Sequence, residues 1–581
     1  RELRAHLAAK LPDYMLPAAF VRLDAVPLLP NGKIDRRALP EPGDVDAPVP
    51  HAAPRSATEA TLLSWFEELL EARGLGIDDS FFDHGGHSLL AMRLVGRVRD
   101  NLGKDLRLRA LFTHSSVRAI AATLDDEQSA GTAPIALVSR DQALPLSYAQ
   151  QRLWLLHQLE PDAERAYRLG AALHLVGRLD TDALARALAA LVERHETLRT
   201  RFVQRPGEEA QQLIDPPSTF TCPILPAVDL TEATERAGAH LDEPFDLARG
   251  PLFTARLLRV DDQSHVLVLA LHHIVTDAWS WGVLERELGL LYAAFANGEP
   301  DPLAPLPFQY ADYAAWQRSW MNGDALAEQL AFWKKHLQGA PPHLDLPTDR
   351  SRPSEPSYRG AHYRWTLPAA LLEELHALAG RRDCTLFMVL LAAIAVWLGR
   401  HAGQDEVVLG APIANRSRGD LEGLIGFFLN TLALRVDLRD DPSFTDLLAR
   451  VKDAALDAYA HEHAPFEAVV DALQPPRDLG RSPLFQAMVI LQNAPWKDQP
   501  WPRVERRTLL TSSAGAKFDL TLELAEAGDG LHADLEFNAD LFDLATIEQL
   551  ARRLGLLLES AARAPSTPIG DLSLLGEDER H

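Results

Sequence analysis

Two short stretches of this chain carry residues whose types and spacing could do chemistry. The first is Leu271-His272-His273-Ile274-Val275-Thr276-Asp277-Ala278-Trp279-Ser280. Neutral imidazole can take up a proton near neutral pH, so paired histidines followed by an acid suit hydrogen bonding to a reacting group or proton handling. A satisfied polar knot or a metal site is the ordinary alternative; no third ligand of matching spacing is evident, and no metal is expected. The second stretch is Gly85-Gly86-His87-Ser88-Leu89. Ser88 stands where Leu89, Leu90, Met92, Leu94 and Val95 begin a helix-like apolar pattern, which puts its hydroxyl at a helix N-terminus beside free backbone N–H groups. Such a place attracts an anion, a phosphodiester included. A plain serine cap after a glycine turn would read the same way.

The elements that must position these residues are visible around them. Val266-Leu267-Val268-Leu269-Ala270-Leu271 is a short continuous apolar run, as a buried strand is, and Val283-Leu284-Glu285-Arg286-Glu287-Leu288 reads as a helix. The histidines therefore sit at a strand end, where a rigid sheet can aim them into a cleft. The whole chain has 581 residues, 47% of them apolar, and a formal charge of -24. The length allows roughly three to five domains, and the charge argues against a nucleic-acid partner. No run of about 18 uninterrupted apolar residues suggests a membrane span. Cys222 and Cys384 are the only cysteines, so no disulfide framework is expected, which suits a reducing cytoplasm.

Asp78-Asp79-Ser80-Phe81-Phe82-Asp83-His84-Gly85-Gly86-His87-Ser88-Leu89 resembles the peptidyl carrier protein signature of nonribosomal peptide synthetases. The resemblance implies 4'-phosphopantetheine attached covalently to Ser88. Seven further stretches resemble, in order, the motifs of a condensation domain: Leu144 to Trp154, Arg194 to Phe202, His272 to Ser280, Tyr310 to Gln317, Ile425 to Thr431, His461 to Glu467 and Arg477 to Gln486. Leu11 to Pro17 and Leu29 to Arg36 resemble the last two motifs of an adenylation domain, with Lys33 at the place of the lysine that contacts the acyl-adenylate. About forty residues are too few for an independent core, so Lys33 is expected to be idle here.

The resemblance implies an all-α four-helix carrier domain followed by a two-lobed α/β condensation domain similar to chloramphenicol acetyltransferase, with the active site in a tunnel between the lobes. The expected organisation is an adenylation remnant at 1–43, a linker at 44–55, the carrier at 56–124, a linker at 125–140 that lets it swing, lobes at 141–310 and 311–568, and at 569–581 the start of a linker to a next adenylation domain. Both termini look like cuts through a longer protein. The implied reaction is amide formation between a carrier-bound thioester and the α-amine of a residue on a downstream acceptor carrier. An upstream adenylation domain would load Ser88, and a phosphopantetheinyl transferase would modify it.

Within that resemblance His273 is expected to hydrogen-bond or deprotonate the amine, with His272 a neighbour of structural or functional role. Asp277 is expected to hold the loop through a salt bridge to Arg194 or Arg199, and the backbone near Ala278 to face the oxyanion. Trp316, Asn430 and Gln486 belong to matched motifs in which packing or loop support is the ordinary role. Retention of the histidine motif favours amide formation over heterocyclisation, and Gly426-Phe427-Phe428-Leu429-Asn430 looks more like a condensation than an epimerisation domain. The absence of a second histidine motif near residues 150 to 175 argues against a dual enzyme, and because the carrier runs directly into this domain with no epimerase between, the donor is expected to end in an L-residue or glycine. An epimerase-like enzyme or an inactive docking module of the same family is the alternative. Ala278 departs from the family's glycine and adds a methyl group; either it narrows the acceptor's passage or it fits ordinary backbone angles without effect.

Overall fold

Among the described residues the first helix is capped by Ser56, which accepts the Glu59 N–H at 3.1 Å, and Ala57–Leu69 follows with Leu62, Phe66 and Leu69 buried on one face. Those side chains meet Phe81, Leu90, Leu94 and Ile120 from Ser88–Arg97, Val117–Asp125 and the intervening loop, with Leu108–Thr113 as the fourth helix. The computed structural model describes residues 52–576 except 105, 126–133, 218–219, 417, 477, 479, 493–500 and 512–514. The adenylation-like residues 1–43, with Lys33, lie outside the described residues, as does most of the linker at 44–55.

The rest of the described chain builds two large sheets clothed by helices and a small antiparallel one. The strands are β1 (Leu144–Pro145), β2 (Arg168–Gly177), β3 (Thr200–Val203), β4 (Gln211–Ile214), β5 (Ile224–Pro226), β6 (Phe253–Arg259), β7 (Ser264–His272), β8 (Gly360–Pro368), β9 (Glu406–Ile413), β10 (Asn430–Asp437), β11 (Ala487–Gln492), β12 (Val504–Thr511), β13 (Leu520–Ala527) and β14 (Gly530–Asn538). The first sheet runs β12-β2-β7-β6-β5, the second β10-β9-β11-β13-β14-β8 and the small one β1-β4-β3. β7, the apolar run before the histidines, lies inside its sheet between β2 and β6 and is buried from His265 to His272. Burial on both faces explains why it shows no alternation of apolar and polar residues.

Two expected boundaries need correction. β12 falls within the residues assigned to the second lobe, yet it pairs antiparallel with β2 of the first sheet. It does so because β2 otherwise has a free edge, and because Trp501 and Val504 bury themselves in the first core, Trp501 stacked on Tyr292 at 4.6 Å. Residues 569–576 are no linker start: Ile569 and Leu572 are buried in the second core, and Arg400 donates to the Leu572 carbonyl at 2.5 Å.

The inter-domain linker is also fastened at its C-terminal end. Arg140 forks onto Asp312 at 2.7 and 2.9 Å and reaches Glu196 at 2.9 Å. Asp312 is fully buried and needs a compensating cation. No single described helix is long and apolar enough to cross a membrane.

Candidate active site

β7 delivers His272 and His273 to its end, where a short 3-10 turn over His273–Val275 breaks the strand before the long helix Ala278–Ala296. His272 is turned to the backbone: its Nδ1 accepts the Ile274 N–H at 3.1 Å. Burial, then the neighbouring His157, Lys517 and Arg168, pull its pKa down to about 3. His273 is oppositely disposed. Its Nδ1 lies 2.9 Å from the Thr276 carbonyl oxygen, which can only accept, so Nδ1 carries the hydrogen and Nε2 keeps its lone pair. Burial, with Lys517 next in weight, holds its pKa well below the usual histidine range. The ring is walled by Phe427 at 5.2 Å and Tyr167 at 6.2 Å.

Asp277 caps the helix, Oδ1 accepting the Ser280 N–H at 2.8 Å, while Oδ2 accepts Phe428 N–H at 2.9 Å from the loop that crosses beneath. Its cationic partner is neither Arg194 nor Arg199. Arg194 binds Glu287 at 3.1 Å and Arg199 the Asp215 carbonyl at 2.5 Å, so both are committed elsewhere in the first lobe. Arg416 takes the place, 3.4 Å from Asp277 and 2.7 Å from Ser280 Oγ, with further bonds to the Leu421 and Leu424 carbonyls at 2.5 and 2.8 Å. Burial lowers its pKa, with Asp277 opposing. Arg416 lies 139 residues from Asp277, so no spacing in the sequence links the two; only the general need of a buried carboxylate for a cation pointed to an arginine.

That crossing loop is packed tightly. A Cβ at Gly426 would lie 1.9 Å from the Tyr310 ring, so only glycine fits beneath it. Tyr310 in turn donates to the Phe427 carbonyl at 2.5 Å and bonds Ser147 Oγ at 2.8 Å. The loop that walls His273 is thereby tied to the Leu144 to Trp154 motif.

Asn430 staples this loop to the 461–467 segment, donating to the Glu462 and Ala464 carbonyls at 2.8 and 2.7 Å. Trp316 packs on Tyr313 and Trp320 under Arg418. Gln486 bonds Leu344 N–H at 2.6 Å and the Ser482 carbonyl at 2.8 Å. None of these three touches either histidine in a described contact.

Ser88 opens its helix, with His87 at the capping position. The helical domain sits over the seam between the two lobes: Leu89 packs on the first core, while Phe82, Leu108 and Phe112 belong to the second. Ser88 Oγ lies 3.4 Å from Thr385 Oγ1 and hydrogen-bonds Tyr459. Arg93 forks onto Glu422 at 2.5 and 2.7 Å, and the Glu422 carbonyl is held by Trp279 Nε1 at 2.9 Å. From Tyr459 the chain runs into the 461–467 segment, whose His463 and Glu467 line a narrow cavity with Arg152, Asn430 and Phe427. Phe427, one wall of that cavity, stands 5.2 Å from the His273 ring. The helix start at Ser88 fits a phosphodiester, and the Thr385 hydroxyl opposite it is a compatible neighbour.

Ala278 is the first residue of its helix, is exposed, and takes ordinary helical angles rather than a positive φ. Ala278→Gly is therefore expected to leave single-turnover rates unchanged for glycyl and bulkier acceptors, and to loosen the helix start by about 0.5 to 1 kcal/mol through added chain entropy. A faster rate with bulky acceptors alone would mean that the methyl narrows their passage.

A family model described as "Condensation domain" matches residues 140–581, and one described as "Phosphopantetheine attachment site" matches residues 60–124. One of the linear gramicidin synthase proteins of Brevibacillus parabrevis is 46% identical over 593 residues, covering 100% of this chain and 8% of that protein. A dimodular nonribosomal peptide synthase of Bacillus subtilis (strain 168) is 42% identical over 591 residues, covering 100% of this chain and 25% of its own length. The chain thus spans a quarter or less of these two relatives. Among solved structures, the X-domain from teicoplanin biosynthesis, in complex with OxyB, superposes with a TM-score of 0.71 at 32% identity over 78% of this chain and 100% of that one.

Proposed function

Because this chain belongs to the condensation-domain family of nonribosomal peptide synthetases, with a phosphopantetheine-attachment domain ahead of it, we propose that it joins a donor acyl group to the α-amine of an acceptor on another carrier. The observation that carries this reading is the orientation of His273, with Nδ1 committed to Thr276 and Nε2 left without a hydrogen-bond partner among the described residues. 4'-Phosphopantetheine on Ser88 supplies a thiol on which the donor is presented as a thioester.

The chain's own residues then have three tasks. The packing of the helical domain over the seam, with Arg93 on Glu422, brings the donor to the cleft and removes the cost of a free encounter, which can be worth several kcal/mol. His273 Nε2 accepts a hydrogen bond from the attacking nitrogen and orients its lone pair. As the C–N bond forms and the C–S bond breaks, one proton leaves nitrogen and one is needed at sulfur; Nε2 is the acceptor that passes it between them. A model α-amine has a pKa of about 7.7 to 8.0, so a useful fraction is already unprotonated near neutral pH and no strong base is required. That agrees with a histidine whose basicity burial has lowered. His272 holds the turn, and Asp277 with Arg416 fixes the helix that starts beside it.

The docking-module reading has one observation in its favour, the likeness to a domain solved in complex with another protein. The epimerase-like reading makes a different prediction, loss of stereochemistry in a loaded donor without amide formation. The deciding experiment starts from Ser88. A phosphopantetheinyl transferase with coenzyme A should add one phosphopantetheine to the wild type and none to Ser88→Ala, as read by intact-protein mass spectrometry. A single turnover of the loaded protein with an aminoacylated acceptor carrier should then yield the amide. Loading without amide or racemisation would favour the docking module, and modification that survives Ser88→Ala would defeat the carrier assignment.

A further inference from the structure

Lys517 is the least expected charge near the histidines. It follows Gly515-Ala516, a segment drawn against the first lobe so closely that a Cβ at Gly515 would lie 2.7 Å from the Ala166 Cα. Ala516 N–H is held by the Tyr358 carbonyl at 3.0 Å. This fixes the Lys517 ammonium 4.7 Å over the ring of Tyr167, the same ring that stands 6.2 Å from His273. Lys517 is half-buried, and among the described residues it makes no hydrogen bond or ion pair.

The charges facing this space are few. On the helix Tyr148–Leu159, Arg152 is paired with Glu467 at 3.0 Å, and His157 stands by the His272 ring at 6.4 Å. Burial keeps the Tyr167 phenol uncharged, and both motif histidines are held neutral. Tyr358 is bonded to Glu160. The carboxylate acting on Lys517 is Glu536 of β14, outside ion-pair reach, bonded to Thr521 at 3.2 Å and 3.9 Å from His362, whose other ring nitrogen meets Asp534 at 2.8 Å. Burial raises the Glu536 pKa, so its charge fades first as pH falls. Burial also lowers Lys517 to about 8, leaving it cationic at and below neutral pH.

Resting on the condensation reading above, we propose that Lys517 is a positioning residue of that reaction: its ammonium repels a protonated acceptor amine, so that the amine enters the space beside His273 as the free base. The sign follows from Coulomb's law. A nearby positive charge disfavours a second one, so the bound amine loses its proton at lower pH than it does in water, and amide formation persists further into acid.

The test is the pH profile of single-turnover amide formation with a glycyl acceptor carrier. In the wild type the acid limb should lie below the free amine's own titration. In Lys517→Met it should move up by about one pH unit, a shift typical of one unit charge nearby in a protein interior, while Lys517→Arg should keep the wild-type limb. An aminooxyacyl acceptor, whose weakly basic nitrogen stays unprotonated across the range, should react equally with wild type and Lys517→Met. A wild-type main transition in differential scanning calorimetry reports that each variant is folded, and Lys517→Gln replaces any neutral variant that is not. An acid limb that stays in place, or a loss shared equally by both acceptors at every pH, would overturn the inference. If the wild type makes no amide with either acceptor, it is the condensation reading that fails.

Discussion

His273→Ala should cut the single-turnover rate of amide formation by about 10²- to 10⁴-fold, the usual range for losing a positioned proton-transfer group, while Ser88 loading and the melting profile stay close to wild type. The expectation follows from what the side chain holds. Its one described hydrogen bond is to the Thr276 carbonyl, so truncation removes the acceptor at Nε2 with little else. His272→Ala is the contrasting control. That change strips the Ile274 N–H of its buried partner, which costs about 1 to 3 kcal/mol, so stability should fall along with rate. Equal rates for His273→Ala and wild type in a single turnover would sink the proposed mechanism.

The second large effect is expected at Asp277 and Arg416, and here stability leads. Asp277→Ala leaves a guanidinium that is 1% exposed facing a vacated carboxylate position and frees the Phe428 and Ser280 N–H groups. Breaking a buried pair from one side costs about 3 to 5 kcal/mol. Arg416→Leu should do comparable damage, since it also abandons the Leu421 and Leu424 carbonyls. Differential scanning calorimetry should show the main transition shifted down, with loading at Ser88 preserved. Arg194→Ala, by contrast, breaks the contact with Glu287 and leaves the Asp277 cluster whole. If Arg194→Ala were the variant that collapsed the loop around Asp277, the pairing described here would be wrong.

What could be read from residue order, and what could not, divides along physical lines. The β7 run and the Ser88 helix start were legible because each is written in neighbouring residues, an unbroken apolar stretch and a glycine turn before a helical pattern. The family motif pointed to the histidine pair, and the geometry adds which ring nitrogen of each is engaged. The partner of Asp277 was not legible: sequence offered Arg194 and Arg199 because they belong to a motif, whereas the fold brings in Arg416 from the end of β9. Lys517 was not legible because the ring it covers, Tyr167, ends a 3-10 turn 350 residues earlier in the chain, and Arg152 beside it comes from the helix Tyr148–Leu159. The lobe boundary failed for a similar reason. Nothing in Val504–Thr511 says which sheet its edge completes.

That crossing strand has a consequence for how the protein comes into being. The first sheet has its inner strands by residue 272, but the edge of β2 is closed only by β12, and the Tyr292 ring gains its stacking partner only at Trp501. During synthesis from the N-terminus, the first lobe must therefore wait on the ribosome with an open strand edge and an uncovered patch of core until the second lobe has been made. Open edges invite pairing with other chains, and distant pairings are slow to form. A gene cut near residue 310 would release a half that cannot finish its own sheet, and a chaperone requirement during translation would be greatest over that interval.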